Sequence, residues 1–162
     1  MATKTSKRTG EVSTTVNVGI RIDPKIKFSL DIMGRLQKRS LTAVIEWAIS
    51  NAIAQEVVDG PEGDGQPVSK VIDRVWSTDE ATKFINMCFE MPSVLTYDER
   101  RIWDTVLLSP IFWKVEWGAQ DRSNFDESVY RDNWEGLKEH VELMKNYPRV
   151  IKYDPFAEDL PF

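Results

Sequence analysis

Along the first third of the chain the apolar positions change period. Val16-Asn17-Val18-Gly19-Ile20-Arg21-Ile22 alternates without a break, and successive side chains of a strand point to opposite faces. Val16, Val18, Ile20 and Ile22 therefore share one face, and Asn17, Gly19 and Arg21 share the other. This predicts a short, half-buried strand. Asp23-Pro24 ends it: Pro24 cannot donate to a ladder but suits the first position of a helix, with Asp23 as N-cap. The period then becomes helical. Ile26, Leu30, Met33 and Leu36 predict a helix to about Gln37, which Gly34 weakens slightly. Lys38-Arg39-Ser40-Leu41 reads as a turn. Thr42 is the expected cap of a second helix reaching about Glu56, with Val44, Ile45, Ala48, Ile49, Ala52 and Ile53 as its stripe.

The pattern stops at Asp59-Gly60-Pro61-Glu62-Gly63-Asp64-Gly65-Gln66-Pro67, with three glycines and two prolines in nine residues. Such a composition does not sustain a helix or a central strand, so residues 58–67 read as a linker. It lacks the ligand order of a calcium loop and the spacing of a dinucleotide loop. Beyond it, Ser77-x-x-Glu80 and Thr96-x-x-Glu99 are capping boxes. They predict helices over 78–91 and 97–109, stopped by Pro92 and Pro110. Val129, Tyr130, Trp134, Leu137, Val141 and Met144 predict one long helix over 126–147. Residues 111–117 alternate only partly and read as a short strand or an extended segment. The tail, with Phe156, Leu160 and Phe162 among acidic residues, reads as a docking peptide or a frayed end. Trp76, Trp103, Trp113, Trp117 and Trp134 are five of the six tryptophans, and they are expected to anchor a small helical core more than to line a groove. Trp47 lies off the stripe of the second helix and is expected to pack on the C-terminal module or on a second copy.

Charge changes the picture in one respect. The 162 residues are 41% apolar and 29% charged with a net charge of −5, which fits a soluble globular chain and argues, taken whole, against nucleic acid. Residues 1–56, however, hold nine basic and five acidic residues (net +4), and residues 57–162 hold twelve and twenty-one (net −9). A basic module that meets a polyanion, joined to an acidic one that does not, follows from that split. Lys4, Lys7 and Arg8 belong to the polar stretch 1–14, expected to be a flexible arm that adds phosphate contacts.

Candidate chemistry is sparse. One cysteine, Cys88, and one histidine, His140, supply neither a disulfide nor a zinc ligand set. Cys88 reads as core and His140 as surface or half-buried. Asp132, Glu135, Glu139 and Glu142 read as a solvated helix face. No catalytic residue, metal or cofactor is therefore expected, and the chain is not expected to be an enzyme. No apolar run of about 18 residues predicts a membrane span, and the N-terminal residues lack the apolar stretch of a secretory signal. A cytoplasmic location is the expectation.

A lone strand with two short helices is too small to stand alone. Two arrangements accommodate it: an edge strand and helical hairpin inside a larger α+β domain, or a symmetric dimer whose two strands pair antiparallel. In the dimer, Val16, Val18, Ile20, Ile22, Ile45 and Ile49 form the shared core, and Asn17, Gly19 and Arg21 face outward. A two-stranded ribbon fits the major groove of DNA, where Arg21 suits a guanine edge and Asn17 an adenine edge.

The stretch VNVGIRIDPKIKFSLDIMGRLQKRSLTAVIEWAI resembles the ribbon-helix-helix DNA-binding family, of the Arc and methionine-repressor type. The resemblance implies an intertwined homodimer over residues 15–57 on double-stranded DNA, with a dimer of dimers on that DNA as a further option. It implies base reading at Asn17, Gly19 and Arg21, and phosphate binding at Ser40, Leu41 and Thr42; Lys38 and Arg39, in the turn before them, are expected to add phosphate contacts. Lys38 stands where the family often has glycine, and Gly19 replaces a base-reading side chain. The expected fold is mostly α: this unit, then a mainly helical, tryptophan-rich domain over 68–162 that resembles no family. The function implied is a dimeric transcriptional repressor. The alternatives are an antitoxin, or a plasmid or mobile-element accessory protein for partition or a relaxosome, with a protein partner on the C-terminal domain.

Overall fold

The computed structural model of the protein describes residues 16–115 and 119–156. Among them are seven α-helices and one two-stranded antiparallel sheet. The mostly helical expectation is met at that level. The chain divides into two compact units between Trp47 and Ala48, inside the second helix.

The N-terminal unit begins with a correction. Residues 16–22 are not a strand in the single chain, and Val16, Val18 and Ile20 are 86%, 77% and 61% exposed. A strand exists only through a ladder partner, and this chain supplies none among its described residues. Helix α1, Pro24–Gln37, starts where the sequence predicts, with the Asp23 carboxylate accepting from the Lys25 N–H at 2.8 Å. It ends in a Schellman-type turn: the Lys38 N–H donates to the Arg35 carbonyl and the Arg39 N–H to the Gly34 carbonyl. Lys38 is held at φ 53°, ψ 43°. Gly34 is buried because the turn folds back onto it; a Cβ there would lie 3.0 Å from the Arg39 carbonyl oxygen. Helix α2, Leu41–Gln55, is capped by Ser40 and not by Thr42: the Ser40 hydroxyl accepts from the Ala43 N–H at 3.2 Å. Ser40 immediately precedes the first helical residue, the place from which a hydroxyl reaches the third amide.

The segment expected as a linker is folded. Strands β1, Val57–Asp59, and β2, Gly65–Pro67, pair antiparallel with Val58 opposite Gln66. Both are edge strands, so Pro67 costs no ladder bond, and Gly63 takes the positive φ of the connecting turn. Val58 packs with Val71, Val75 and Met91, which brings in a helix that the sequence pattern does not announce, α3, Val68–Val75. Arg74 ties this corner together through Glu90 at 2.7 Å and Gln66 at 2.9 Å.

Helix α4, Glu80–Glu90, begins two residues later than expected. Its cap is Asp79, whose carboxylate accepts from the Thr82 N–H at 2.8 Å, while Ser77 accepts from the Asp79 N–H. An ionised acceptor outcompetes a hydroxyl for a helix amide. Helix α5, Tyr97–Leu108, has the expected Thr96–Glu99 capping box. Pro92 and Pro110 end α4 and α5 and open single 3₁₀ turns, Pro92–Val94 and Pro110–Phe112. The partly alternating stretch at 111–115 forms no strand, only an isolated bridge between Trp113 and Phe125. The single long helix is instead two, α6, Glu127–Asp132, and α7, Trp134–Leu143. Between them the Asn133 amide competes with the backbone, donating to the Val129 carbonyl at 2.9 Å.

The C-terminal core is aromatic. Trp103, Trp113 and Trp134 are buried with Phe84, Phe112, Phe125 and Tyr130. Ring centroids 5.3–5.6 Å apart run from Trp113 through Phe125, Tyr130 and Trp134, the spacing that favours tilted and edge-on pairs. Tyr153 closes this core from outside. Its N–H donates to the Ser109 hydroxyl at 2.7 Å, its hydroxyl to Asn133 at 3.2 Å, and its ring stacks on Phe112. Cys88 is core, as expected. His140 is buried, deeper than expected, with Nε2 3.0 Å from the Ile151 carbonyl oxygen.

Candidate nucleic-acid interface

The helix-turn-helix at the end of α1 concentrates positive charge. Leu30, Asp31, Gly34, Arg35, Lys38 and Arg39 line an open cleft of about 520 Å³. Asp31 is held by Lys27 one turn earlier, which leaves Arg35, Lys38 and Arg39 as the charges the cleft presents. The start of α2 lies beside it. Ser40 occupies the Ala43 N–H, and the first amides of a helix, here those of Leu41 and Thr42, have no intrahelical acceptor. Cations and free N–H groups at a positive helix end together suit an anion of phosphate size. The turn geometry depends on the Gly34–Arg39 approach, so the cleft is a product of local backbone packing.

Asn17, Gly19 and Arg21 are exposed and alternate along the extended segment with Val16, Val18, Ile20 and Ile22, which are exposed as well. A Cβ at Gly19 would meet nothing within 4 Å, so no contact of the single chain requires glycine there. Of the remaining expected core residues, Ile45 is half-buried and Ile49 is exposed. Among the described residues, the only fully covered apolar side chain of the N-terminal unit is Val44. Trp47, expected to pack on the C-terminal module or on a second copy, is 40% exposed in the single chain. Lys4, Lys7 and Arg8, with the whole expected arm 1–14, and Trp117, Leu160 and Phe162 lie outside the described residues.

The acidic set Asp132, Glu135, Glu139 and Glu142 lies along α6 and α7, where Glu135 and Glu142 pair with Lys138 and Lys145 one turn on. Among the described residues no three His, Cys, Asp or Glu side chains come together as metal ligands would, and no helix is long and apolar enough to cross a membrane. Burial drives the Cys88 thiol well above its ordinary range, so it stays protonated and unreactive. A second groove lies in the C-terminal unit. Nothing in the sequence pattern points to it, because α3 borders it and α3 is hidden behind the glycine- and proline-rich hairpin. Comparison with protein-family models, with curated proteins and with solved structures returned no match.

Proposed function

We propose that the protein is a dimeric, sequence-specific DNA-binding protein of the cytoplasm, acting as a transcriptional repressor. The observation that carries this reading is the uncovered apolar face of the N-terminal segment. Val16, Val18, Ile20 and Ile22 are all exposed within one seven-residue stretch, and they alternate with polar residues, so a strand would gather them on one side as a single apolar face. A second copy of the same segment covers them, and the pairing turns Asn17, Gly19 and Arg21 outward as a ribbon. The cleft of Arg35, Lys38 and Arg39 then supplies phosphate contacts that position the ribbon.

The folded C-terminal unit, with its own aromatic core, favours a regulator or a mobile-element accessory protein over an antitoxin whose tail wraps a toxin. The test is selection of DNA from a random pool, followed by mobility shifts on the selected sequence. Binding as a dimer is expected, and Arg21→Ala should weaken specific binding by about 1–3 kcal/mol while leaving helicity unchanged. Selection that enriches no sequence, or an Arg21→Ala protein that binds as tightly, removes the ribbon from the account.

A further inference from the structure

A second open site lies in the C-terminal unit. Glu80, Lys83, Phe84, Met87 and Met91 recur at helical spacing along α4 and its C-cap and form one wall of a groove of about 520 Å³. Ile72 of α3 and Trp76, the residue that caps its C-terminus, border it on one side, and Ile102 of α5 and Trp134 of α7 also line it. Its floor is buried, at Phe84, Met91 and Trp134, while Trp76 at its rim is 66% exposed. The size falls within the range of about 300–1,000 Å³ typical of small-molecule sites, and the lining is apolar with few polar groups, as such sites are.

The charges around it decide what it accepts. Four ionisable side chains line the groove. Glu99 is occupied by the backbone N–H and hydroxyl of Thr96. Glu80 and Lys138 face each other at 3.6 Å, and Lys138 also holds Glu135 at 3.0 Å. That leaves Lys83. Its ammonium lies 5.5 Å from the centroid of the Trp76 ring, and among the described residues it has no carboxylate partner. The lining carries two carboxylates and two ammonium groups, so its charge balances overall, but both carboxylates and Lys138 are engaged with other groups and Lys83 is the charged group left open to a ligand. An apolar trough with one half-buried ammonium free to donate suits an apolar body bearing one anionic group.

We propose that this groove binds a small amphipathic anion, with an apolar aromatic body lying along Met87 and Phe84 beside Trp76, and its anionic group on Lys83. The inference stands apart from the DNA-binding reading, because every residue in it belongs to the C-terminal unit.

The probe pair is 8-anilinonaphthalene-1-sulfonate and N-phenyl-1-naphthylamine, the same aromatic body with and without the negative group. Both are titrated by fluorescence into the full chain, with the indole N–H signals of Trp76 and Trp134 followed by NMR. The sulfonate should bind more tightly than the neutral dye and shift those two indoles before that of Trp47. Lys83→Met should weaken the sulfonate roughly fivefold, the effect of one charge-assisted contact at a half-open site, and leave the neutral dye unchanged. Trp76→Ala should weaken both dyes. Because Lys83 and Trp76 reach the surface, the far-ultraviolet circular dichroism of each variant should match the parent. Equal affinity for the two dyes, or a sulfonate affinity untouched by Lys83→Met, overturns the proposal. So does dye binding that falls as protein concentration rises, which would show a second copy covering the groove, and so does an absence of binding.

Discussion

Lys38 is the one non-glycine residue with positive φ among the described residues. A side chain there costs about 1–2 kcal/mol, because Cβ crowds the following carbonyl. Lys38→Gly should therefore raise stability by about 1 kcal/mol in thermal or denaturant melts, after glycine's own entropy is deducted. On DNA the same change should weaken binding and make log K less steep against log salt, since one cation has left the cleft. A lysine that met no phosphate would show the first effect without the second. Asp79 sets a pH dependence. Its hydrogen bonds from Thr82, side chain first and backbone next, hold its pKa below the ordinary aspartate value, with Arg131 adding a smaller pull. Because the folded pKa is the lower one, the stabilisation is present above the unfolded value near 4 and disappears as pH falls through the folded value. The melting-temperature difference between parent and Asp79→Ala should be largest at neutral pH and shrink below pH about 4; a constant difference would mean that the charge plays no part. At this scale the sequence is legible where a single acceptor stands alone, as at Asp23 and Thr96. It misleads where two acceptors compete within a few residues, Ser40 with Thr42 and Ser77 with Asp79, because only backbone geometry decides between them.

At the scale of elements, periodicity locates α1, α2, α4 and α5 within two residues or so of their ends. Helix α3 escapes it although Val68, Val71, Ile72 and Val75 have helical spacing. It is eight residues long and follows directly on a glycine- and proline-rich stretch that suggests absence of structure. The hairpin of β1 and β2 escapes for the complementary reason: its turn residues are legible, but its strands are three residues each, too short to alternate visibly. The α6–α7 break lies in an unbroken apolar stripe, and only the Asn133 side-chain contacts reveal it. Gly136 of α7 shows how such contacts shape an element. It is a poor helix former, yet a Cβ there would press against the Tyr153 hydroxyl, 2.5 Å away. Gly136→Ala should therefore destabilise the protein by about 1–3 kcal/mol, through overpacking, despite alanine's better helix propensity. A melt showing stabilisation would mean that Tyr153 gives way without penalty, and that its bond to Asn133 contributes little.

The whole molecule joins a basic beginning to an acidic remainder, and that division is fully legible from the residue counts. The proposed dimer is legible only as a need: an alternating segment without a partner, which is exposed in the single chain. The groove beside Trp76 is not legible, since it requires side chains from four separate helices. If the polar arm neutralises phosphates, removal of residues 1–10 should lower the slope of log K against log salt by about one unit for each phosphate set free; an unchanged slope would confine binding to the ribbon and the α1–α2 turn. Tyr153 carries a last consequence, for synthesis. It follows every other core residue of the C-terminal unit in the chain, and a chain leaves the ribosome from its N-terminus at about 5–20 residues per second. Ser109, Phe112 and Asn133 are made before Tyr153 and wait for the residue that matches them. A chain that stops short of position 153 thus leaves the Phe112 ring and the Ser109 hydroxyl without the cover that the last core residue brings.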